Sequence, residues 1–510
     1  MRFDPHRSRR PILAKFSDAL TGVQREYAYK NVYYRPTAYS SNENNELASL
    51  KARVLADTPT APDLNQCVEW IWANINVILP RMHHIQSVSF EEYIRRSNAA
   101  PSVKKLLQET KLYLDSIGVS ETSTLSRSQI RQWVKRSAFV KVENNLYQSR
   151  LGVKSPEKTP RCIQGAKPEF ICLVGPWMMA FQDVLKRRWS TKFSICFSSG
   201  LSSEQMADYI ANALDLPTGI VEDDISAFDA SVRRPWLELE YDIFKRASAP
   251  KAVLALVAAN IDTNGYTAHG WHYKCRGTRK SGDPYTSSGN SLINGFAHLF
   301  LVHKHTNLSC ATILSRIRML VQGNDNALVL PKHWRVNFKS GMLKLGFKAE
   351  ALWRTDYDEL EFCSNRMYKT STGWVFGPKP GRVIAKFGYL VNPPPAVSRE
   401  SMLKGICLGL YMSCHFIAPL KCLLDHTLRL CGDAEPYFER RTEEHRIKVD
   451  SFHEATVETP MTAYIAYGWT PSNQKEWELQ VSKLRFGDPL PGIAELLMDA
   501  DVTAPQIYYH

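Results

Sequence analysis

The chain has 510 residues, with 64 Lys and Arg against 51 Asp and Glu for a formal charge of +13, and 44% hydrophobic and 23% charged residues. This composition excludes a disordered or fibrous chain, and at roughly 100–200 residues per domain the length fits two to five units or one large multi-lobed enzyme. The basic excess points to a polyanionic partner, either nucleic acid or an anionic membrane surface, and a core of this size needs neither disulfides nor structural metals.

In chain order, the opening MRFDPHRSRRPILAKF is basic without an apolar run, so no secretory signal is expected there. Residues 1–60 are polar and include the Tyr-rich YAYKNVYYRPTAYSSNENN, which reads as an extended arm or a poorly packed lead-in. From about Pro62, Val68, Ile71, Ile75 and Leu79 recur at helical spacing, as do Val103, Leu106, Leu107 and, less regularly, Leu112. A further helix is expected over 204–214, ended by Pro217-Thr218-Gly219. Ile220-Val221 then reads as a short strand running into acidic residues, and 319–321 and 327–330 as two strands around Gly323-Asn324-Asp325-Asn326. NPPPAV (392–397) is a hinge-like break that sets a boundary near 390, with a mainly helical region beyond it.

The eleven cysteines lie between Cys67 and Cys431 with no CxxC pair. Those at 407, 414, 422 and 431 are too widely spaced for a zinc knuckle and sit among Leu, Ile and Met. They read as buried free thiols of a chain kept in a reducing compartment. The most apolar stretch, 406–420, is followed by Lys421 and Asp425 and so reads as a buried helix, in a chain that is soluble or membrane-peripheral.

Four constellations carry chemistry. Asp224-Ile-Ser-Ala-Phe-Asp229, preceded by Glu222 and Asp223, puts carboxylates at a strand end. Hard oxygens there suit Mg²⁺ on phosphates, although an acidic capped turn has the same pattern. Ser281-Gly282-Asp283-Pro284-Tyr285-Thr286-Ser287-Ser288-Gly289-Asn290 leads into Leu292, Ile293, Phe296 and Leu299, a Gly-containing loop feeding an amphipathic helix with Thr286 and Asn290 on one face. Gly323-Asn324-Asp325-Asn326 reads as a β-hairpin turn. Phe139-Val140-Lys141-Val142-Glu143, with Lys158-Thr159-Pro160-Arg161-Cys162-Ile163-Gln164, is a basic pair of segments able to grip a triphosphate or to form a solvated face.

In this order and spacing the elements resemble the motifs of viral RNA-dependent RNA polymerases of positive-strand RNA viruses, in particular the tombusvirus-like group. The basic segments resemble motif F, Asp224–Asp229 motif A, Ser281–Asn290 motif B and the Gly323 hairpin motif C. Gly346-Phe347-Lys348 is similar to motif D, Glu361-Phe362-Cys363-Ser364 to motif E, and 373–388 to the segment that follows it in that group. Ser89-Phe90-Glu91-Glu92-Tyr93 is a looser likeness, and together the resemblance covers about 90–390.

The resemblance implies an α+β, right-hand polymerase fold of fingers, palm and thumb, with an antiparallel palm sheet and many helices. On that scheme 1–60 is an N-terminal arm, and 61–216 forms the fingers with motif F and an index-finger extension. The palm is 217–390, with an inserted fingers segment at about 233–280, and the thumb is 391–510. The implied activity is template-directed RNA synthesis by a two-metal mechanism with Mg²⁺ or Mn²⁺, from ribonucleoside triphosphates on template and product RNA. Asp224 and Asp325 would hold the metal, Asp229 and Asn290 would sense the ribose 2′-hydroxyl, and Ser281, Gly282 and Thr286 would shape the loop around the nucleotide. Lys141, Lys158 and Arg161 would hold the triphosphate, and Lys348 would donate a proton to pyrophosphate. The expected setting is the host cytoplasm, at membrane-associated replication complexes reached through other replicase or host proteins.

Motif C departs from the usual Gly-Asp-Asp. The direct register sets Asn324 where a metal-binding carboxylate belongs. A register shifted by one gives the glycine position to Asn324 and the metal position to Asp325. In both, Asp325 is the turn's only carboxylate. The missing acid motivates an alternative from a different class: a degenerate, non-catalytic polymerase-like subunit that binds RNA in a replication complex. A reverse transcriptase is disfavoured because Asp229 with Asn290 suits ribonucleotide selection.

Overall fold

The computed structural model describes residues 24–26, 28–143, 145–148, 159–212, 218–391, 393–394, 396–438 and 451–503. Helices and sheets are mixed along the chain, as the α+β expectation requires. At the centre lies a five-stranded sheet in the order Lys348–Arg354, Thr218–Ser226, Asp325–Pro331, Arg318–Gln322, Ile195–Phe197. Its first four strands are antiparallel as expected. The fifth, Ile195–Phe197, runs parallel to Arg318–Gln322, so one strand from before residue 217 completes this sheet.

Alternation along the strands gives the sheet two unlike faces. Val221, Ile225, Met319, Val321, Leu328 and Leu330 enter the largest core, with Trp177, Trp236 and Phe296 from the helices Pro168–Arg188, Arg234–Arg246 and Thr286–Thr306. Ile220, Leu320, Ala327 and Val329 enter a second core against the helix Ser203–Ala211 and the three-stranded meander Glu361–Phe362, Asn365–Thr370 and Gly373–Pro378. A four-stranded sheet, ordered Cys162–Ala166, Arg136–Val140, Asp262–Thr267, His272–Arg276, stands beside them. It joins strands more than a hundred residues apart. Arg136, fully buried, fastens it inward by donating to Asp283 Oδ1 and Asn260 Oδ1 at 2.7 and 2.6 Å.

Three sequence expectations change. The segment 28–54 is not a poorly packed lead-in: Ala28, Tyr29, Tyr34 and Tyr39 are buried, and Tyr29 shares a 3.0 Å hydrogen bond with Thr427. A tyrosine-rich stretch packs in this way because each ring is apolar while its hydroxyl finds a partner. Gln24–Glu26 also pairs with Tyr389–Val391. In the helix Pro101–Ser116, Leu107 and Leu114 form the inner seam, while Val103, Leu106 and Leu112 are exposed, because only one narrow stripe meets the rest of the molecule. The helical spacing from Val68 to Leu79 is split between Leu64–Ala73 and Ile75–Ile78, where Asn74 donates its side-chain amide to Trp70 O.

Beyond residue 396 the described chain is mainly helical, with helices Arg399–Cys414, Ala418–Cys431, Thr459–Tyr467, Pro471–Val481 and Ala494–Met498. None of the described helices is long and apolar enough to cross a membrane. Nine of the eleven cysteines are buried, and Cys363 and Cys422 are half-buried, all as free thiols. The last helical segment docks on Pro380–Lys386, where a Cβ on Gly381 would lie 1.9 Å from Leu497 O and Asp501 accepts the Gly381 N–H at 2.7 Å. Gly381→Ala is therefore expected to cost about 1–3 kcal/mol by overpacking against backbone. It should lower the denaturant midpoint, and an unchanged midpoint would show that the two segments do not pack this closely.

Candidate active site

The strand Thr218–Ser226 delivers its acids alternately to the two faces of the central sheet. Glu222 and Asp224 share one face, and Asp223 takes the other. Asp325 is the direct cross-strand partner of Asp224. Side chains so paired project to the same face with Cβ atoms about 5 Å apart. Glu350 on the neighbouring strand is opposite Asp224, and Gln322 is opposite Asp325, so one row crosses four strands as Glu350, Asp224, Asp325, Gln322. Sequence spacing gave no sign of Glu350, which joins the row only through strand register.

The hairpin loop contains two residues, Gly323 and Asn324, between the paired Gln322 and Asp325. Gly323 has φ +63°, as a glycine in the first position of such a loop allows. Gly323 therefore takes the first loop position and Asn324 the second, with Asp325 opening the next strand opposite Asp224. Asn324 turns its amide to Asp224 and donates Nδ2–H to Oδ1 at 2.6 Å. Burial, followed by the Asp224 charge, pushes the Asp325 carboxyl up to about 7, against donation from the backbone and thiol of Cys363. Asp224 is also raised, first by desolvation, while the Asn324 amide pulls it down. Cys363 reaches this position because Cys363 and Ser364 both adopt positive φ in the tight turn of the meander.

Behind the hairpin, the helix Thr286–Thr306 holds its backbone. Ser291 Oγ accepts the Gly323 N–H at 2.8 Å, and Asn294 Nδ2 donates to Gly323 O at 3.1 Å and Asp325 O at 3.3 Å. His298, fully buried, meets Asp223 Oδ2 at 3.1 Å, and Asn326 donates to Asn294 Oδ1 at 3.0 Å. Asn326 was named from the sequence only as part of the hairpin turn; Ser291, Asn294 and His298 were not singled out. Their positions on the helix, 291, 294 and 298, share one face at steps of three and four, which is the signal that was available.

The expected loop residues cluster next to the hairpin. Asn290 Nδ2 donates to Asp229 Oδ1 at 2.8 Å. Asp229 itself is raised by burial, against the lowering effects of Asn290 and Arg279. The Ser281 hydroxyl donates to Cys162 O and accepts from Gln164 N, both at 3.1 Å. Gly282 bridges to Gly165, and a Cβ there would lie 2.3 Å from Gln164 O, so glycine permits the contact of two backbones. Thr286 Oγ1 donates to Lys280 O and Asp283 O, closing the loop from within.

The basic segments lie beside the loop. Lys141 and Arg161 share Glu143, at 2.9 and 3.5 Å, and the Arg161 charge lowers Asp229. Lys158 lies outside the described residues. Lys348 is exposed and pairs with Ser226, on the same face as Asp224 but two positions along its strand.

The donor set suits hard divalent cations: two carboxylates on cross-strand partners, Asp325 protonated more readily because it is buried and because Asp224 is near. Among the described residues no group of three His, Cys, Asp or Glu side chains is arranged to hold a metal, so a cation at this pair would need further oxygens from other groups.

A family model described as viral RNA-dependent RNA polymerase matches residues 119–399. Among curated proteins, the RNA-directed RNA polymerase of melon necrotic spot virus is 26% identical over 259 residues, 47% of this chain and 31% of that protein. That of tobacco necrosis virus strain D is 27% identical over 255 residues, 45% and 32% of the two chains. That of oat chlorotic stunt virus is 25% identical over 383 residues, 68% and 48%. The chain thus spans about a third to a half of the length of these relatives.

With its pKa near 7, Asp325 keeps a proton in the folded chain that the unfolded chain releases above the ordinary carboxylate value of 3.8. Its contribution to stability is therefore full below that value and is lost as pH rises to about 7. In metal-free buffer Asp325→Asn should melt several degrees above the wild type at pH above 7, and the gap should close as pH falls towards 4. Coincident melting curves at high pH would contradict an Asp325 carboxyl raised by burial and by Asp224.

Proposed function

Because the chain belongs to the viral RNA-dependent RNA polymerase family, we propose that it joins ribonucleotides on an RNA template by a two-metal mechanism. The observation that carries this is the register pairing of Asp224 with Asp325, next to the Asn290–Asp229 hydrogen bond. One pair suits a cation at the reacting phosphate, and the other a sugar hydroxyl.

On this proposal Asp224 and Asp325 hold Mg²⁺ or Mn²⁺, which when bound lowers the barrier by activating the primer 3′-hydroxyl and neutralising charge on the phosphates. Asn324 faces Asp224 with its N–H group, so it offers a neutral oxygen only after the amide turns over. Arg161 and Lys141 take the triphosphate, exchanging their shared contact with Glu143 for phosphate oxygens. Lys158 acts with them, and Lys348 gives a proton to the leaving pyrophosphate. Asp229 and Asn290 bind the ribose 2′-hydroxyl as acceptor and donor. Ser281, Gly282 and Thr286 fix the loop between the sugar site and the strand Cys162–Ala166.

The central sheet with 217–390 acts as palm, 61–216 with the insertion 233–280 as fingers, and 391–510 as thumb, with 1–60 as an arm. Support comes from the strands of the insertion, Asp262–Thr267 and His272–Arg276, which join the sheet of Arg136–Val140 and Cys162–Ala166. Action in the host cytoplasm, at membrane-associated complexes with other replicase or host proteins, belongs to the same proposal.

Purified protein with RNA template, ribonucleoside triphosphates and Mg²⁺ or Mn²⁺ should incorporate label. Asp224→Ala and Asp325→Ala should each reduce incorporation on the order of a hundredfold or more, as loss of preorganised charge does. Normal synthesis by both would remove the mechanism.

Asn324→Asp adds a carboxylate beside Asp224 and should lower the Mg²⁺ concentration needed for half-maximal synthesis. An unchanged requirement would show that position 324 does not bear on the metal.

The Asn324–Asp224 hydrogen bond favours a second reading, a non-catalytic RNA-binding subunit. Salt-dependent RNA binding without turnover in either cation would select it.

A further inference from the structure

Asn290 lies between two partners of opposite character. Arg279 Nε donates to Asn290 Oδ1 at 2.8 Å, and Asn290 Nδ2 donates to Asp229 Oδ1 at 2.8 Å. An amide keeps its shape when flipped, but a guanidinium has donors only, so the oxygen must face Arg279. The N–H group is thereby turned towards Asp229.

Arg279 is itself locked. Its Nη1 donates to Glu240 Oε2 at 2.8 Å and its Nη2 to Glu240 Oε1, and both side chains are all but sealed from solvent, at 1% and 2% exposure. Its backbone N–H donates to Asp229 O at 3.0 Å, and its guanidinium lies 5.5 Å from the centre of the Tyr285 ring. Gly289 supplies independent evidence of a tight fit. A Cβ there would stand 2.4 Å from Glu240 Oε1 and 2.6 Å from Arg279 Nη2, so the pair is seated against the bare backbone of the helix. Such a pair is costly to bury and contributes little net stability, which directs attention to what it orients.

We propose that the buried Arg279–Glu240 pair is a positioning element that sets sugar selection by locking the Asn290 amide, with its N–H group towards Asp229. Asn290 then keeps one N–H to donate to a ribose 2′-hydroxyl, and Asp229 is the acceptor for the hydroxyl proton. A 2′-deoxy sugar leaves both unmet. The pair touches no substrate; it acts through Asn290. This assignment presupposes the polymerase activity proposed above.

The test is the ratio of kcat/KM for a ribonucleoside triphosphate to that for its 2′-deoxy counterpart, on an RNA template, in wild type, Arg279→Lys and Glu240→Gln. Lysine keeps the charge but cannot donate to Asn290 and Glu240 in one planar fork, and glutamine removes the charge that holds the fork. Each variant should reduce the preference for ribose about tenfold, the worth of roughly one hydrogen bond, mostly through a raised KM for the ribonucleotide. A folded, active variant that loses rate equally for both sugars, with an unchanged ratio, overturns the proposal and makes the pair merely structural. Should Arg279→Lys fail to fold, Glu240→Gln decides. Should both fail, Gly289→Ala decides, since it displaces the pair without removing it. A wild type that incorporates no ribonucleotide would instead overturn the polymerase activity.

Discussion

Two carboxylates held opposite one another on adjacent strands repel, and much of the surrounding structure keeps them there. The cost is visible in Asp325, whose carboxyl is pushed up to about 7 by burial and by Asp224. What opposes it is backbone: the ladder between Thr218–Ser226 and Asp325–Pro331, and the Ser291 and Asn294 side chains that grip the hairpin loop from behind. Because these contacts go to main-chain atoms, they fix the loop whatever side chain stands at 324. The loop can therefore carry an asparagine or an aspartate without a change of path.

The same economy appears where the Ser281 loop meets the strand Cys162–Ala166. Gly282 and Gly165 allow two backbones to touch, Ser281 closes the contact from both sides, and Arg136 and Asp283 anchor it beneath. The residues proposed to face the sugar and the phosphates are thus tied together through the main chain and through buried ion pairs. Buried pairs of this sort contribute little net stability for what they cost to bury, so their more informative consequence is what they hold in place. Placing them under Asn290 and beside the loop puts that restraint where substrate position matters.

Much of this was legible in the sequence. The strand running into acids, the hairpin at Gly323, the helix through Leu292 and Phe296 and the helical region beyond 396 follow from local patterns, and a shared role for Asp229 and Asn290 follows from resemblance. What was not legible depends on register or on distant partners. Glu350 joins the carboxylate row only because its strand pairs with Thr218–Ser226 at that offset. Arg279 meets Glu240 across 39 residues, and nothing near either reveals the other. The tyrosines of 28–39 looked like an exposed arm because composition does not say where an apolar ring finds cover. The helix Pro101–Ser116 misled for the converse reason, since leucine at helical spacing marks a possible inner face and Leu112 is left outside.

Asn324 takes on a physical meaning in this frame. The row already holds Glu350, Asp224 and Asp325, and a carboxylate at 324 would place a further charge beside Asp224, where the amide now donates. Each added like charge in a crowded site raises its neighbours' affinity for protons and so competes with a metal at neutral pH. An amide at 324 relieves that competition in the metal-free chain, and at the same time it removes one charged oxygen from the metal-bound one. On the proposed mechanism the two effects oppose each other. The first concerns how readily Asp224 and Asp325 are held together before any metal arrives, the second how tightly a cation would then be bound. On that mechanism the asparagine would trade metal affinity for a site assembled without the metal, which fits a hairpin held through its backbone.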